Sequence, residues 1–443
     1  MNAFRLVAAI GILLVTPGLA QEALKIRPAV ELEFPTVAQA LQQVEASSDL
    51  ITWRVHTAAA LGDGQPRRLL ASAGGGTEFY RVSTVAVRDL NALLEPIRAA
   101  NRVPALACAV ILSNQVVGLG AVGQRRFGTT NAPVTLADRW HHGSLTKSMT
   151  ATLAAVLVRE GRIQWTTTLA DVFPERAASM NPAWRTVTLD WLCSNRSGAP
   201  ENLTANGLWQ ELWDFKGLPR DGRRLLMQRV TARAPNATPG TRYEYSNAGF
   251  SMAGHMLETV MNRPWEDLLT EKVFVPLGMS SAGFGVPASP RYIDQPWGHQ
   301  WLNGAASPVE PGLNADNPPA IGPAGTVHCS ILDLGRYAAF HVAVHNADTE
   351  LLPMAAGKRL HTAVPDNASY AYGWNEVDRP WAAPGKAYTH SGSNLMWFSV
   401  IWFAPARGFA VVALCNVASS TATNPGAAAT DQVAGRMIQE FLK

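Results

Sequence analysis

The residue types best able to do chemistry stand together in one stretch, His141-His142-Gly143-Ser144-Leu145-Thr146-Lys147-Ser148-Met149-Thr150. Gly143 marks a loop end, and Met149, Leu153, Val156 and Leu157 then recur at helical spacing, which predicts Ser144 at or near a helix N-terminus. Lys147, three residues on, falls one turn along the same face. An amine there can hold or accept the hydroxyl proton, while unpaired N–H groups and the helix dipole favour nearby negative charge. Ser144 therefore reads as a covalent nucleophile. The pair alone is a weak signal: Ser-x-x-Lys arises about once in 300 residues at ordinary usage. An N-capping serine beside a solvated lysine has the same spelling.

Two later stretches add to it. Pro239-Gly240-Thr241-Arg242-Tyr243-Glu244-Tyr245-Ser246-Asn247-Ala248-Gly249 reads as a turn followed by a helix start. Tyr245 and Asn247, two apart in its irregular part, can both point into a cleft. A tyrosine near a lysine ammonium has its phenolate favoured, which suits a proton carrier. Tyr388-Thr389-His390-Ser391-Gly392-Ser393-Asn394 is rich in small residues that let a strand edge approach a substrate closely.

The elements that must position these residues follow from patterning. Leu90–Ala100 has helical spacing. Leu106–Leu112 and Val116–Val122 are apolar runs around Ser113-Asn114-Gln115, a β-hairpin. Thr188–Cys193 opens a helix-and-loop region with no convincing strand pair before about residue 320. Met396–Phe403 and Phe409–Cys415 flank a turn-rich loop as a second hairpin, and Ala428–Leu442 closes as a helix. The fold class is α/β (α+β): an antiparallel sheet from both chain ends flanked by helices, with an inserted mostly helical domain. The expected division is 87–165 plus 321–443 for the sheet domain and 166–320 for the helical one, with a cleft between them. Residues 21–86 form an extension of unassigned role, in which Val37–Glu45 looks helical, Ile51–His56 strand-like and Gly62–Gly76 loop-like.

Composition excludes several classes. With 443 residues, 47% hydrophobic and 16% charged, the chain is globular rather than disordered. A net charge of +3 is too small to argue for nucleic acid or an anionic membrane. The basic run Arg220, Arg223, Arg224, Arg229 and Arg233 is interleaved with apolar residues and reads as the wet face of an amphipathic helix. Residues 1–20 read as a secretory signal: Arg5, an apolar Leu6–Val15, and a small-residue Gly18-Leu19-Ala20 cleavage site. The expected mature protein is exported, periplasmic or secreted, and has no stable membrane span. Cys108, Cys193, Cys329 and Cys415 permit three disulfide pairings and form no Cys-x-x-Cys clip, so metal binding has no support.

In that order, Ser144-x-x-Lys147, Tyr245-x-Asn247 and His390-Ser391-Gly392 resemble the serine β-lactamase and penicillin-binding-protein superfamily, nearest its class C β-lactamase-like branch. Flanking text agrees, including Val273-Phe274-Val275-Pro276-Leu277-Gly278-Met279 and Pro323-Ala324-Gly325-Thr326, and the resemblance covers about residues 87–443. It implies a bacterial serine hydrolase working through an acyl-enzyme, without cofactor or metal. Ser144 would attack a carbonyl, with Lys147 and Tyr245 sharing the proton work. Asn247 would bond substrate amide or Lys147, and His390, Ser391 and Gly392 would line the substrate edge. The N–H groups of Ser144 and Ser393 would form the oxyanion hole. The β-lactamases proper carry Lys-Thr-Gly where this chain has His390-Ser391-Gly392. A histidine mostly neutral near pH 7 weakens the preference for a substrate carboxylate, or makes it pH-dependent, and favours a peptidase, amidase or esterase. The partner is then a small-molecule or peptide substrate. Oligomeric state is open.

Other readings compete. A non-catalytic module of the same fold would bind penicillin or cell-wall peptide without turnover. Gly249-Phe250-Ser251-Met252-Ala253 resembles a hydrolase nucleophile elbow but ends in Ala. His341 and His345 are i,i+4 without the Glu of a zinc-protease helix. Trp297-Gly298-His299-Gln300-Trp301 suits either packed aromatics or a cleft lining.

Overall fold

The computed structural model describes residues 29–442, apart from 39, 58, 73–76, 202, 205, 365, 366, 368 and 422. Residues 1–20, read as an export signal, lie outside the described residues. The chain divides into two compact units, residues 1–87 and 88–443.

In the first unit, Ala29–Phe34 pairs antiparallel with Arg67–Ser72, and Leu41–Ser47 pairs with Arg54–Val55, Ala60–Leu61 and Phe79–Thr84. The helix expected over Val37–Glu45 is therefore largely strand, and the loop expected over Gly62–Gly76 contains one. Both corrections have the same cause. Strand partners distant in sequence, such as Leu32 with Leu69, decide the conformation of segments whose local pattern is ambiguous.

The second unit is built on a seven-stranded sheet. Its strands run in the order Asn375–Val377, Ala387–Ser393, Phe398–Ala404, Phe409–Cys415, Ala105–Leu112, Gln115–Gly123, Arg88–Asp89, all antiparallel but the last pair. The two ends of the chain thus meet at Phe409–Cys415 and Ala105–Leu112, and the expected fold class stands. Leu106, Cys108 and Val110 pack with Leu94, Val433 and Met437 of helices Asn91–Asn101 and Pro425–Phe441. On the opposite face, Ala109 and Ile111 meet Gly335 of helix Ile331–Asn346. Cover on both faces explains why Ala105–Leu112 reads as an unbroken apolar run. Helix Thr146–Arg159 is buried at every residue from Thr146 to Leu157, so its three threonines bond internally: Thr146 Oγ1 accepts from Val327 N–H at 3.1 Å, Thr150 donates to Pro323 O at 2.7 Å and Thr152 to Ser148 O at 2.9 Å.

Two further expectations are corrected. A hairpin, His299–Leu302 with Ala305–Pro308, lies before residue 320. Its turn is Asn303-Gly304, both at positive φ (51° and 79°), the type I′ signature that marks a two-residue hairpin. Arg223 is wholly buried rather than on a wet face, held by Glu258 at 2.6 Å and Glu266 at 2.9 Å. A buried guanidinium is tolerable only with such partners, and they come from helices 35 and 43 residues away. The four cysteines are buried and unpaired. No helix among the described residues is long and apolar enough to cross a membrane.

Candidate active site

A short 3₁₀ turn, Gly143–Leu145, leads directly into helix Thr146–Arg159, and Ser144 sits in that turn, partly exposed. Lys147 Nζ lies 3.0 Å from Ser144 Oγ, as the three-residue spacing requires. The amine also reaches Asn247 Oδ1 at 2.7 Å and the Ala324 carbonyl at 2.9 Å. Lys147 is fully buried, and burial alone holds its amine well below the ordinary lysine range.

Ser246 caps helix Asn247–Met261, accepting from Gly249 N–H and donating to Pro200 O at 2.7 Å. Asn195 Oδ1 accepts from Ser246 N–H at 3.0 Å, so this loop is clamped before the helix begins. Asn247 is the first helical residue rather than part of the irregular stretch. The clamp sets the Tyr245 ring 4.6 Å from Lys147 Nζ, with the phenol hydrogen-bonded to Ser144. The expected bias toward phenolate is not found. Burial of the phenol dominates and pushes it above its usual range, against the opposing hydrogen bond from Ser144.

The third wall is strand Ala387–Ser393. A Cβ on Gly392 would stand 2.0 Å from His142 O and 2.8 Å from Ser144 N. One on Gly143, at φ 50°, would stand 2.4 Å from Ser393 N. The two glycines let the strand edge close on the Gly143–Leu145 turn, setting the backbone N of Ser144 and of Ser393 on either side of that contact. His390 is buried, and burial pushes it down to about 3, so it is neutral at any ordinary pH. The pH-dependent charge anticipated there is absent. Its Nδ1 has no hydrogen-bond partner. Ser391 points the other way along the strand and is exposed.

The competing motifs resolve structurally. Ser251 is buried within helix Asn247–Met261 and bonds Asn247 O at 2.9 Å, so no nucleophile elbow exists there. His341 and His345 join His361 in a chain of imidazoles, and no His/Cys/Asp/Glu group among the described residues could hold a metal. Trp297 is buried and donates to Tyr292 O, while Trp301 packs on the main core. These are packing aromatics. Sequence reasoning missed Ala324 and Asn195. The first acts through a backbone carbonyl, which leaves no side-chain signal. The second lies in an otherwise ordinary loop.

A seven-stranded sheet of this order with Ser-x-x-Lys at the start of its central helix defines a family, and the comparisons agree. The chain belongs to the Beta-lactamase family, whose model matches residues 90–435. It is 27% identical over 362 residues to Penicillin-binding protein 4 of Amycolatopsis lactamdurans, covering 79% of this chain and 90% of that one. Among solved structures it resembles the octameric penicillin-binding protein homologue from Pyrococcus abyssi, with TM-score 0.62, 23% identity, and 78% and 76% of the two chains covered. It also resembles D-alanine carboxypeptidase AmpC from Burkholderia cenocepacia, with TM-score 0.59, 19% identity, and coverage of 77% and 96%.

Proposed function

We propose that the protein is a serine hydrolase that passes an acyl group through Ser144 to water. The observation that carries this reading is the hydrogen-bond count at Lys147. A neutral amine has two N–H donors and one lone pair. Asn247 Oδ1 and the Ala324 carbonyl can only accept, so they take both hydrogens and leave the lone pair toward Ser144 Oγ. Desolvation, which holds the amine well below the ordinary lysine range, favours that neutral form. Lys147 is then poised to take the Ser144 proton as the hydroxyl attacks a carbonyl. The neutral Tyr245 phenol, bonded to Ser144, serves as proton donor to the leaving group. The N–H groups of Ser144 and Ser393 receive the oxyanion.

The strand backbone at His390, Ser391 and Gly392 lines the substrate edge, with the His390 and Ser391 side chains on opposite faces, and Asn247 shares its amide between Lys147 and substrate. A neutral His390 supplies no fixed cation for a substrate carboxylate, which favours a peptidase, amidase or esterase over a β-lactamase. Likeness to a penicillin-binding protein and a D-alanine carboxypeptidase makes peptides ending in D-residues the first substrates to try. We assign the protein to the space outside the cytoplasm, on residues 1–20, and read 166–320 as an inserted helical domain beside the sheet domain.

The test is incubation with a fluorescent fluorophosphonate and a fluorescent penicillin, beside a chromogenic ester and a D-Ala-D-Ala peptide. Turnover that disappears in Ser144→Ala supports the hydrolase. Penicillin labelling without turnover of either substrate would instead make this a binding module.

A further inference from the structure

His141, three residues before the nucleophile, is wholly buried and uses both ring nitrogens. Its Nε2 lies 2.8 Å from Asp316 Oδ1, and its Nδ1 lies 3.1 Å from Gly143 N. Gly143 N–H can only donate, so Nδ1 must carry a lone pair. Asp316 as a carboxylate can only accept, so Nε2 must carry the proton. One state alone satisfies both neighbours: a neutral imidazole with its hydrogen on Nε2. Asp316 selects the tautomer, and the tautomer holds Gly143.

What Gly143 holds is the mouth of the site. The peptide joining His142 to Gly143 is fixed at both ends. Its N–H bonds His141, and its carbonyl accepts from Leu145 N–H at 3.2 Å while lying against Gly392. With that peptide clamped, the left-handed φ of Gly143 sets the direction of the next N–H, that of Ser144. The segment carrying Asp316 also braces the other walls. Asn317 donates to Gly325 O at 2.8 Å, next to the Ala324 carbonyl that Lys147 uses. Ala315 O accepts from Asn394 at 3.1 Å, next to Ser393.

We propose that Asp316 and His141 are positioning residues for the oxyanion-binding N–H groups: Asp316 locks the His141 tautomer, and His141 locks the turn that aims Ser144 N–H beside Ser393 N–H. The proposal rests on the reading of Ser144 as nucleophile. Neither residue touches the reacting atoms. Both act through the backbone.

The test measures kcat and KM for p-nitrophenyl butyrate and the fluorophosphonate labelling rate at Ser144. The variants are His141→Phe, His141→Asn, His141→Gln and Asp316→Ala, each checked for a native melt. His141→Phe should lower kcat by about 100-fold, the scale of a lost oxyanion donor, with KM within about threefold. His141→Asn keeps an acceptor where Nδ1 stood and should recover about tenfold of that loss, whereas His141→Gln reaches toward Asp316 instead and should not. Asp316→Ala should fall between wild type and His141→Phe, and the double variant should be no worse than His141→Phe. Unchanged kcat in His141→Phe, or Asn no better than Gln, overturns the proposal. If His141→Phe does not fold, the comparison of Asn with Gln decides alone. Labelling that persists in Ser144→Ala would overturn the reading of Ser144 itself, whatever the His141 variants show.

Discussion

Lys147 Nζ stands 2.7 Å from Asn247 Oδ1 across a separation of 100 residues, joining the starts of the two helices that form the site. The amide is neutral, so it orients the amine without stabilising its charge. Burial holds the Lys147 pKa down, and the working amine is lost as pH falls through that lowered value. Asn247→Asp would place a carboxylate against the amine and favour the ammonium. The acid limb of kcat/KM should then move up by about one to three pH units, with activity at pH 7 falling. A pH–rate profile on a neutral ester measures it. An acid limb that stays put removes Lys147 from the role of base.

His390 is held at about 3 by burial, so its charge does not change across ordinary assay conditions. The ratio of kcat/KM for a carboxylate-bearing ester to that for a neutral ester should be flat between about pH 5 and pH 8 in the native enzyme, far from that titration. His390→Lys adds a fixed cation and should raise the ratio. An unaltered ratio would show that position 390 does not face the substrate.

Gly392 has no room for a side chain, since a Cβ would meet His142 O at 2.0 Å and Ser144 N at 2.8 Å. Gly392→Ala should therefore push the strand off the Gly143–Leu145 turn and, on the proposed role of Ser144, cost about 100-fold in kcat through lost alignment of the Ser144 and Ser393 N–H groups. Gly161 is the control, with φ 68° and nothing within 4 Å of its Cβ direction. Gly161→Ala should cost about 1 kcal/mol of stability with kcat unchanged. Equal loss of kcat in both variants would argue against a local effect at Gly392.

His341, His361 and His345 form a hydrogen-bonded chain, with His341 Nδ1 2.7 Å from His361 Nε2 and His345 Nδ1 3.0 Å from His361 Nδ1. Desolvation sets His341 at about 3 and holds His361 well below its ordinary value. Folded pKa values below the unfolded one favour the native state above about pH 6.5, and that advantage is lost as pH falls, because the unfolded chain takes protons the folded one refuses. Stability should fall by up to about 1.4 kcal/mol per pH unit for each such histidine below that point. The double variant His341→Phe/His361→Leu should show a shallower decline in urea midpoint from pH 7 to pH 5. Parallel declines would locate the acid sensitivity elsewhere.

Legibility followed range. Ser144 and Lys147 were readable because one helical turn carries the whole relationship, and the hairpin around Gly408 because its strands are continuous apolar runs. The Asn303-Gly304 hairpin is equally local, but its strands of four residues each are too short to show a continuous apolar run. Arg223 looked solvated because its neighbours in sequence are mixed, while Glu258 and Glu266 arrive from other helices. Tyr245 looked like a phenolate because the pairing with lysine is visible in sequence and the desolvation of both groups is not.

By itself the sequence determined the spacing of Ser144 and Lys147 and the continuous apolar strands of the main sheet, since periodicity and spacing act within a few residues, but not the strands of residues 29–87 or the Asn303-Gly304 hairpin. The tertiary structure alone decided the direction in which the pKa values of Lys147, Tyr245 and His390 move, and the closeness of Ser393 to Gly143. Those depend on how much water is removed and on which backbone groups arrive from distant segments, and packing sets both.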